Sequence, residues 1–272
     1  MTHFEYLDHY LKTHLFYSKS TIKAYRSDLR QMKNHQIEWS MKSLQRYFNE
    51  LIKRYKPTTA MRRYHALMAL GNELIRAKRL KVNPMKQVRP IVHQHIQQRE
   101  HHPLEETIQM IRHITDPTYR LFFELISQTG LRFMEARLLS IEDIQFAKST
   151  LLVRHGKGRR LRTVPLGEGL VSKLRTFLEG RTTGLVFQSV RGKAINEQSA
   201  RDALRKQSLA KRGQSLHPHD LRVSFATYLY QTGNRKLLEI QQLLGHGSSR
   251  TTEGYIISQE TKLQQIINAL SA

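Results

Sequence analysis

The residues of this sequence whose types and spacing can do chemistry are two arginines, two histidines and a tyrosine. Arg132 follows Thr129-Gly130-Leu131 and precedes Glu135 by three positions. His219 and Arg222 stand at i, i+3 in His-Asp-Leu-Arg, a spacing that shares one helical face. His246 closes Leu244-Gly245-His246, and Tyr255 comes nine residues later. Planar guanidiniums suit the paired oxygens of phosphates and carboxylates. A tyrosine hydroxyl, with an ordinary pKa near ~10, becomes a nucleophile at neutral pH only beside cations and a base. Taken singly, each element has a plainer reading. An Arg/Glu i, i+3 pair is ordinarily a surface salt bridge, and a lone tyrosine is ordinarily core or interface.

Other chemistries lose support. Gly192-Lys193 is followed by Ala194 and has no upstream glycine to make a phosphate-binding loop, and Gly156-Lys157-Gly158 has Leu161 where a dinucleotide fingerprint needs its third glycine. Neither G-x-S-x-G nor H-E-x-x-H occurs. The acidic pair Glu142-Asp143 is adjacent, so its side chains diverge on a helix and do not suggest a two-metal site. There is no cysteine, which excludes disulfides, thiolate metal sites and thiol nucleophiles. The 272 residues carry 45 Lys and Arg against 22 Asp and Glu, a formal charge of +23, which favours a polyanionic partner, nucleic acid first. At 39% apolar residues the chain can still bury a core.

The elements that must position these residues read as follows. Residues 1–98 are helical throughout and carry 19 basic residues against 6 acidic. Phe4, Leu7, Tyr10, Leu11 and Leu15 repeat at helical spacing, and Ser20-Thr21 opens a second stretch. Ser40 can cap a third helix, and Pro57 opens a fourth that is expected to run to Asn83-Pro84. Residues 99–272, with 26 basic and 16 acidic, are mixed. Helices are expected over 104–115, 118–128, 167–179, 197–211, 219–231, 235–243 and 260–270. Two apolar runs, 150–154 and 161–166, flank a Gly-containing turn as a hairpin, with Leu185-Val186-Phe187 as a third strand. Between the two parts, residues 88–102 are polar and punctuated by Pro90. Their four histidines, His93, His95, His101 and His102, read as a solvated linker rather than a metal site, since no ligand motif accompanies them. The predicted domains are therefore 1–87, a helical bundle, and 103–272, an α+β domain, joined by 88–102. The N-terminus lacks the pattern of a secretory signal and no apolar run approaches membrane-spanning length, so a cytoplasmic, nucleoid-associated protein is expected, with no membrane partner.

Taken in order, Thr-Gly-Leu-Arg-x-x-Glu, a Gly-Lys-Gly hairpin followed by Arg162-Thr163-Val164-Pro165-Leu166, His-x-x-Arg, Leu-Gly-His and a tyrosine resemble the tyrosine recombinase (phage integrase) family, in particular its Xer-type and simple integrase branch. The resemblance covers the whole chain. One departure is Val223, where relatives often have His after the second arginine; it is not an active-site position. The resemblance implies a mainly α fold with a small β-sheet: an N-terminal SAM-like core-binding bundle and a C-terminal α+β catalytic domain. It implies site-specific DNA recombination through a 3′-phosphotyrosyl intermediate and a Holliday junction, serving integration, excision or dimer resolution. Tyr255 would be the nucleophile. Arg132 and Arg222 would clamp the phosphate, His219 would accept a proton and His246 would donate a hydrogen bond to the phosphate. Lys157 would protonate the leaving 5′ oxygen, and Glu135 would orient Arg132. A basic hairpin that merely tracks phosphates is the alternative for Lys157, since Arg154, Arg159, Arg160 and Arg162 share that hairpin. No metal, ATP or other cofactor is implied, because the covalent bond stores the cleavage energy. The implied partners are duplex DNA with inverted-repeat half-sites and further copies of the chain, a dimer on one site and a tetramer at synapsis.

Three rivals stand beside this reading: a type IB topoisomerase with the same chemistry, a non-catalytic DNA-binding protein of the same fold, and a membrane-surface or RNA binder suggested by charge alone. Past the nucleophile, Leu263, Ile266, Ile267 and Leu270 make one apolar stripe. It is expected to dock either on its own domain or, as the resemblance favours, on the next protomer.

Overall fold

The computed structural model describes residues 2–13, 17–89, 102–154, 161–232 and 237–245. The chain divides into two compact units, Met1–Gln97 and Gln98–Ala272.

Among the described residues the first unit has four helices and a 3-10 turn: α1 (His3–Thr13), α2 (Lys19–Asn34), α3 (Met41–Arg54) and α4 (Pro57–Arg76), then Pro84–Lys86. Each start has a local cause. Thr2 and Glu5 form a reciprocal capping box before α1, with Thr2 N–H to Glu5 Oε2 at 2.7 Å and Glu5 N–H to Thr2 Oγ1 at 3.2 Å. Ser40 caps α3 by accepting from Ser43 N–H. Pro57 sits at the first turn of α4, where its missing N–H costs nothing. The cap of α2 is Ser18, two residues before the Ser20-Thr21 opening, its hydroxyl accepting from Thr21 N–H at 3.1 Å. The apolar stripes meet in a core of Leu7, Leu11, Met32, Leu44, Phe48, Leu67, Leu70 and Leu74.

Two features of this unit escape local reading. Helix α4 stops at Arg76, seven residues before Asn83, because Lys78 adopts a left-handed φ of 55° and the N–H groups of Arg79 and Leu80 turn back onto the Leu74 carbonyl. Asn83 instead folds back as a buried tie: its amide donates to Met68 O and Asn72 Oδ1, and its oxygen accepts from Met85 N–H. Gly71 makes room for it, since a Cβ there would lie 2.3 Å from Asn83 Oδ1. Packing also continues past residue 87. Val88 is buried in the core, and Arg89 N–H donates to Gln45 Oε1.

The second unit holds α5 (Leu104–Arg112), α6 (Pro117–Thr129), α7 (Phe133–Arg137), α8 (Glu168–Leu178), α9 (Glu197–Arg212), α10 (Pro218–Gln231) and α11 (Leu237–Leu244). A three-stranded antiparallel sheet runs in the order β1 (Ile144–Gln145), β2 (Thr150–Val153), β3 (Arg162–Pro165). The register of the central pair places Leu151 opposite Val164 and Val153 opposite Arg162. The third strand is therefore 144–145 and not 185–187. Leu185 makes a single bridge to Ser140, while Val186 and Phe187 are drawn fully into the core, so the run is apolar for packing and not for a ladder. The main core gathers Phe122, Phe123, Leu125, Ile126, Leu151, Leu174, Val186 and Phe187. A smaller cluster of Leu104, Phe225, Ala226, Ile240 and Leu244 fastens α11 to α10 and α5. Among the described residues no helix is long and apolar enough to cross a membrane, and no group of three or more metal-ligating side chains occurs. The hairpin tip at 155–160, most of the histidine segment and the stripe at 260–270 lie outside the described residues.

Candidate active site

Helix α6 delivers the first arginine. Asp116 caps its start, accepting from Thr118 and Tyr119 N–H, and Pro117 follows at the first turn. Its end is Gly130, at φ 65°, whose N–H closes on Ile126 O. Only glycine fits there. A Cβ would meet Leu244 Cδ2 at 2.6 Å and Phe225 Cδ1 at 2.7 Å, besides straining the left-handed backbone. This reversal makes Arg132 the residue that precedes α7, in extended conformation. Its backbone N–H donates to Glu135 Oε2 at 2.8 Å, and its Nη1 donates to Glu135 Oε1 at 2.8 Å. The i, i+3 pair is thus not a surface salt bridge: the Glu135 side chain is only 2% exposed.

Helix α10 delivers His219 and Arg222. Although they share i, i+3 spacing, they fare differently. His219 lies in the first turn and is exposed. Arg222 is 1% exposed and is among the largest fully buried side chains. Its Nη1 donates to Gly130 O at 2.5 Å and its Nη2 to Leu244 O at 2.7 Å. The second Nη of Arg132 donates to Gly245 O at 2.9 Å. Two arginines that lie far apart in sequence therefore meet at adjacent carbonyls, at the end of α11. That end carries the negative pole of the helix and its unsatisfied carbonyls, a natural seat for guanidiniums.

A third arginine joins them. Arg162, on β3, spends both Nη atoms on Glu135, at 3.0 Å to Oε1 and 2.6 Å to Oε2, and its Nε on Leu243 O at 2.8 Å. Burial alone would raise the Glu135 carboxyl. The hydrogen bonds and charge of Arg162, then the backbone and side-chain hydrogen bonds of Arg132, overcome it and hold the group down at about 2. Sequence reading placed Arg162 among the basic residues of the hairpin and in the run that resembles the family's hairpin, without a role of its own. A signal was present: strand alternation puts residue 162 on the same face as Val164, which faces the core, and a guanidinium on that face needs a carboxylate. Arg154, just after β2, likewise pairs with a buried carboxylate, Asp143. Of the four hairpin arginines, the two described are both engaged by the protein itself.

The structure thus brings Arg132, Glu135 and Arg222 together and sets His219 on the first turn of the helix that carries Arg222. Lys157, His246 and Tyr255 lie outside the described residues. His246 is the next residue after Gly245, the acceptor of Arg132.

A sequence model of the phage integrase family matches residues 100–262. The chain belongs to the phage integrase family. Family relatives include the tyrosine recombinase XerA of Pyrococcus furiosus, 39% identical over 140 residues, which span 50% of this chain and 49% of that one. The tyrosine recombinase XerC of Chromobacterium violaceum is 35% identical over 145 residues, spanning 52% of this chain and 48% of the other. The matched stretch covers about half the length of these curated relatives. The fold extends further. A crystal structure of XerH site-specific recombinase bound to a palindromic difH substrate aligns over 99% of this chain and 95% of its own, at a TM-score of 0.74 and 18% identity. The Tn1549 transposon integrase in complex with a circular intermediate DNA aligns over 97% and 99%, at 0.73 and 15%. At those identities the likeness is one of fold. It reaches across both units, where the family's sequence model begins only at residue 100.

Proposed function

We propose that this protein is a site-specific DNA recombinase that cuts and rejoins DNA strands without a metal or ATP. The observation that carries this reading is the convergence of Arg132 and Arg222 on the carbonyls of Gly130, Leu244 and Gly245, next to His246. Two guanidiniums held in fixed positions at one place are what attack on a phosphodiester requires, because the pentacoordinate phosphorus gathers negative charge on its non-bridging oxygens. Arg132 has five side-chain N–H groups and spends two of them on Glu135 and Gly245 O in the bonds described above.

In the proposed reaction the Tyr255 hydroxyl oxygen attacks the scissile phosphorus and gives its proton to His219. The bond to the 5′ oxygen breaks, and that oxygen takes a proton from Lys157. His246 donates a hydrogen bond to the phosphate. The phosphotyrosyl bond keeps the energy of the broken diester, and the free 5′ hydroxyl of a partner strand attacks it to rejoin. A second round resolves the Holliday junction. We further propose that residues 1–87 form the core-binding domain and 103–272 the catalytic domain, with 88–102 as a connection whose first two residues pack on the bundle. The partners would be duplex DNA with inverted-repeat half-sites, bound by a dimer and brought together as a tetramer, in the cytoplasm and on the nucleoid. The charge of +23, spread over both units, suits that partner. Relatives bearing the names XerA and XerC support the same reading.

The test is a nicked suicide substrate, from which the cut strand diffuses away. Wild type accumulates a DNA-linked protein band. Tyr255→Phe binds the same DNA and gives none. A covalent band in that variant places the nucleophile elsewhere. Holliday junctions formed from two sites distinguish recombination from relaxation by a monomeric topoisomerase.

A further inference from the structure

We propose that Arg162 is a positioning residue of this site, acting on Arg132 through the Glu135 carboxylate and the last turn of α11. The proposal rests on the recombinase reading above for what Arg132 does, and on the geometry for how Arg132 is held.

Three successive carbonyls at the end of α11 receive three different arginines. Leu243 O accepts from Arg162 Nε, Leu244 O from Arg222 Nη2 and Gly245 O from Arg132 Nη2. Arg162 alone of the three also grips Glu135 with both Nη atoms, and Glu135 is the carboxylate that Arg132 uses. The guanidinium of Arg162 therefore bridges the two anchors of Arg132, a carboxylate on α7 and the backbone after α11. Its side chain is 9% exposed, against 29% for Arg132. The buried arginine does the holding and the more open one faces outward.

Gly245 fits the same account. Its φ is 66°, and a Cβ on it would stand 3.0 Å from Arg162 Nη1 and 3.2 Å from Arg162 Cδ. The backbone that leads into His246 thus rests directly on the Arg162 side chain. Lysine cannot replace this residue in kind. One ammonium offers no planar fork, so it cannot hold both Glu135 oxygens and Leu243 O at once. Arg162 also ends the described strand nearest the hairpin tip, where Lys157 lies in sequence. It joins β3, α7 and α11.

The experiment measures single-turnover cleavage by wild type, Arg162→Lys and Glu135→Gln on two suicide substrates. One has an ordinary scissile phosphate; the other has a methylphosphonate there. The methylphosphonate is uncharged, so its pentacoordinate state carries one negative charge fewer and asks less of Arg132. Arg162→Lys is expected to slow cleavage of the phosphate by about 10²-fold, the scale of a catalytic group held about 1 Å out of place. On the methylphosphonate its defect is expected to shrink to about tenfold or less, as the charge that Arg132 stabilises is gone. Half-site binding in a gel shift should stay near wild type. The double variant should be no slower than the slower single variant, because both changes break one linkage. Wild-type rates in Arg162→Lys overturn the proposal. So do equal defects on the two substrates, which mark general damage, and a loss that follows DNA binding, which marks a phosphate contact. If Arg162→Lys does not fold, Glu135→Gln decides by the same comparison of substrates: a phosphate-selective defect supports the proposal and equal or absent defects overturn it. Absence of any tyrosine-linked band in wild type would instead overturn the recombinase reading and leave the packing of Arg162 as it stands.

Discussion

Each unit of this protein buries one carboxylate between two arginines, and the two clusters are built differently. In the first unit Asp28 is 2% exposed, and Arg62 forks onto it at 2.6 and 2.8 Å. Arg62 is itself the exposed partner, at 45%, and its charge is raised in stability by that carboxylate. The buried partner, Arg63, has its Nε 3.4 Å from Asp28 Oδ1 and lies 4.3 Å from the Tyr55 ring centroid. In the second unit the order is reversed. The buried arginine, Arg162, makes the fork, and the side chain of the more open Arg132 donates to one carboxylate oxygen and one carbonyl. An exposed guanidinium that uses both Nη atoms on one carboxylate is committed to the fold. Arg132 divides its two Nη atoms between a carboxylate on α7 and a carbonyl after α11, so no single carboxylate occupies its fork. The same residue types thus serve structure in one place and, on our reading, chemistry in the other.

That contrast can be broken experimentally, most strongly at its carboxylate in the first unit. Asp28→Ala leaves Arg63 buried without its counter-charge and should cost about 3–5 kcal/mol, the scale of breaking a buried ion pair from one side. Urea unfolding followed by Trp39, the single tryptophan, reports on this unit directly. The cleavage rate on saturating DNA, measured where the variant is still folded, should change little. Next in size is Arg222→Ala, expected to slow cleavage by about 10²–10³-fold, or about 2.7–4 kcal/mol, with half-site binding little affected. Equal losses in binding and cleavage would make Arg222 one more phosphate contact.

The third expectation concerns acid. The Glu135 carboxyl titrates lower in the folded protein, about 2, than its ordinary 4.5. Its ionised form is therefore favoured by folding. The stability it contributes is complete above pH ~4.5 and is lost as pH falls from there toward 2. Thermal melts across this window should show a steeper acid loss in wild type than in Glu135→Gln, which has no proton to take up at that position. Matching slopes would mean that the ion pairs are not maintained in solution. The smallest effects sharpen the comparison from the other side. Ser40→Ala and Asp116→Ala each remove one helix cap, in the first and second unit respectively, and each should cost about 1 kcal/mol without changing the cleavage rate. A cleavage defect in Asp116→Ala alone would show that the start of α6 is coupled to Arg132 at its other end.

Local order is largely legible in the amino-acid sequence. Ser40, Pro57 and Gly130 stand where elements begin or end, and the hairpin of β2 and β3 lies where two apolar runs flank a glycine-rich turn. The misreadings share a cause. Asn83-Pro84 looks like a helix stop, but α4 has already ended at Arg76, where no glycine or proline marks the turn. Leu185-Val186-Phe187 looks like a strand, yet the sheet takes Ile144-Gln145 instead. In both cases an apolar or breaking signal is present, and what surrounds it in space chooses its use.

The sequence by itself determined the family, the helical periods and the order of the residues proposed for catalysis, because each depends on residue types at short, fixed spacings. Only the tertiary structure decided which charges meet. Arg132 finds Gly245 across 113 positions, Arg222 finds Gly130 across 92 and Arg162 finds Glu135 across 27. His219 and Arg222 share a helical face by spacing, yet one is exposed and the other is buried against the end of α11. A guanidinium reads the same in sequence whether it will be solvated or buried. Its fate is set by whether the fold brings a carboxylate or an uncapped helix end within hydrogen-bonding distance, and burying it without one would cost more than folding could offset.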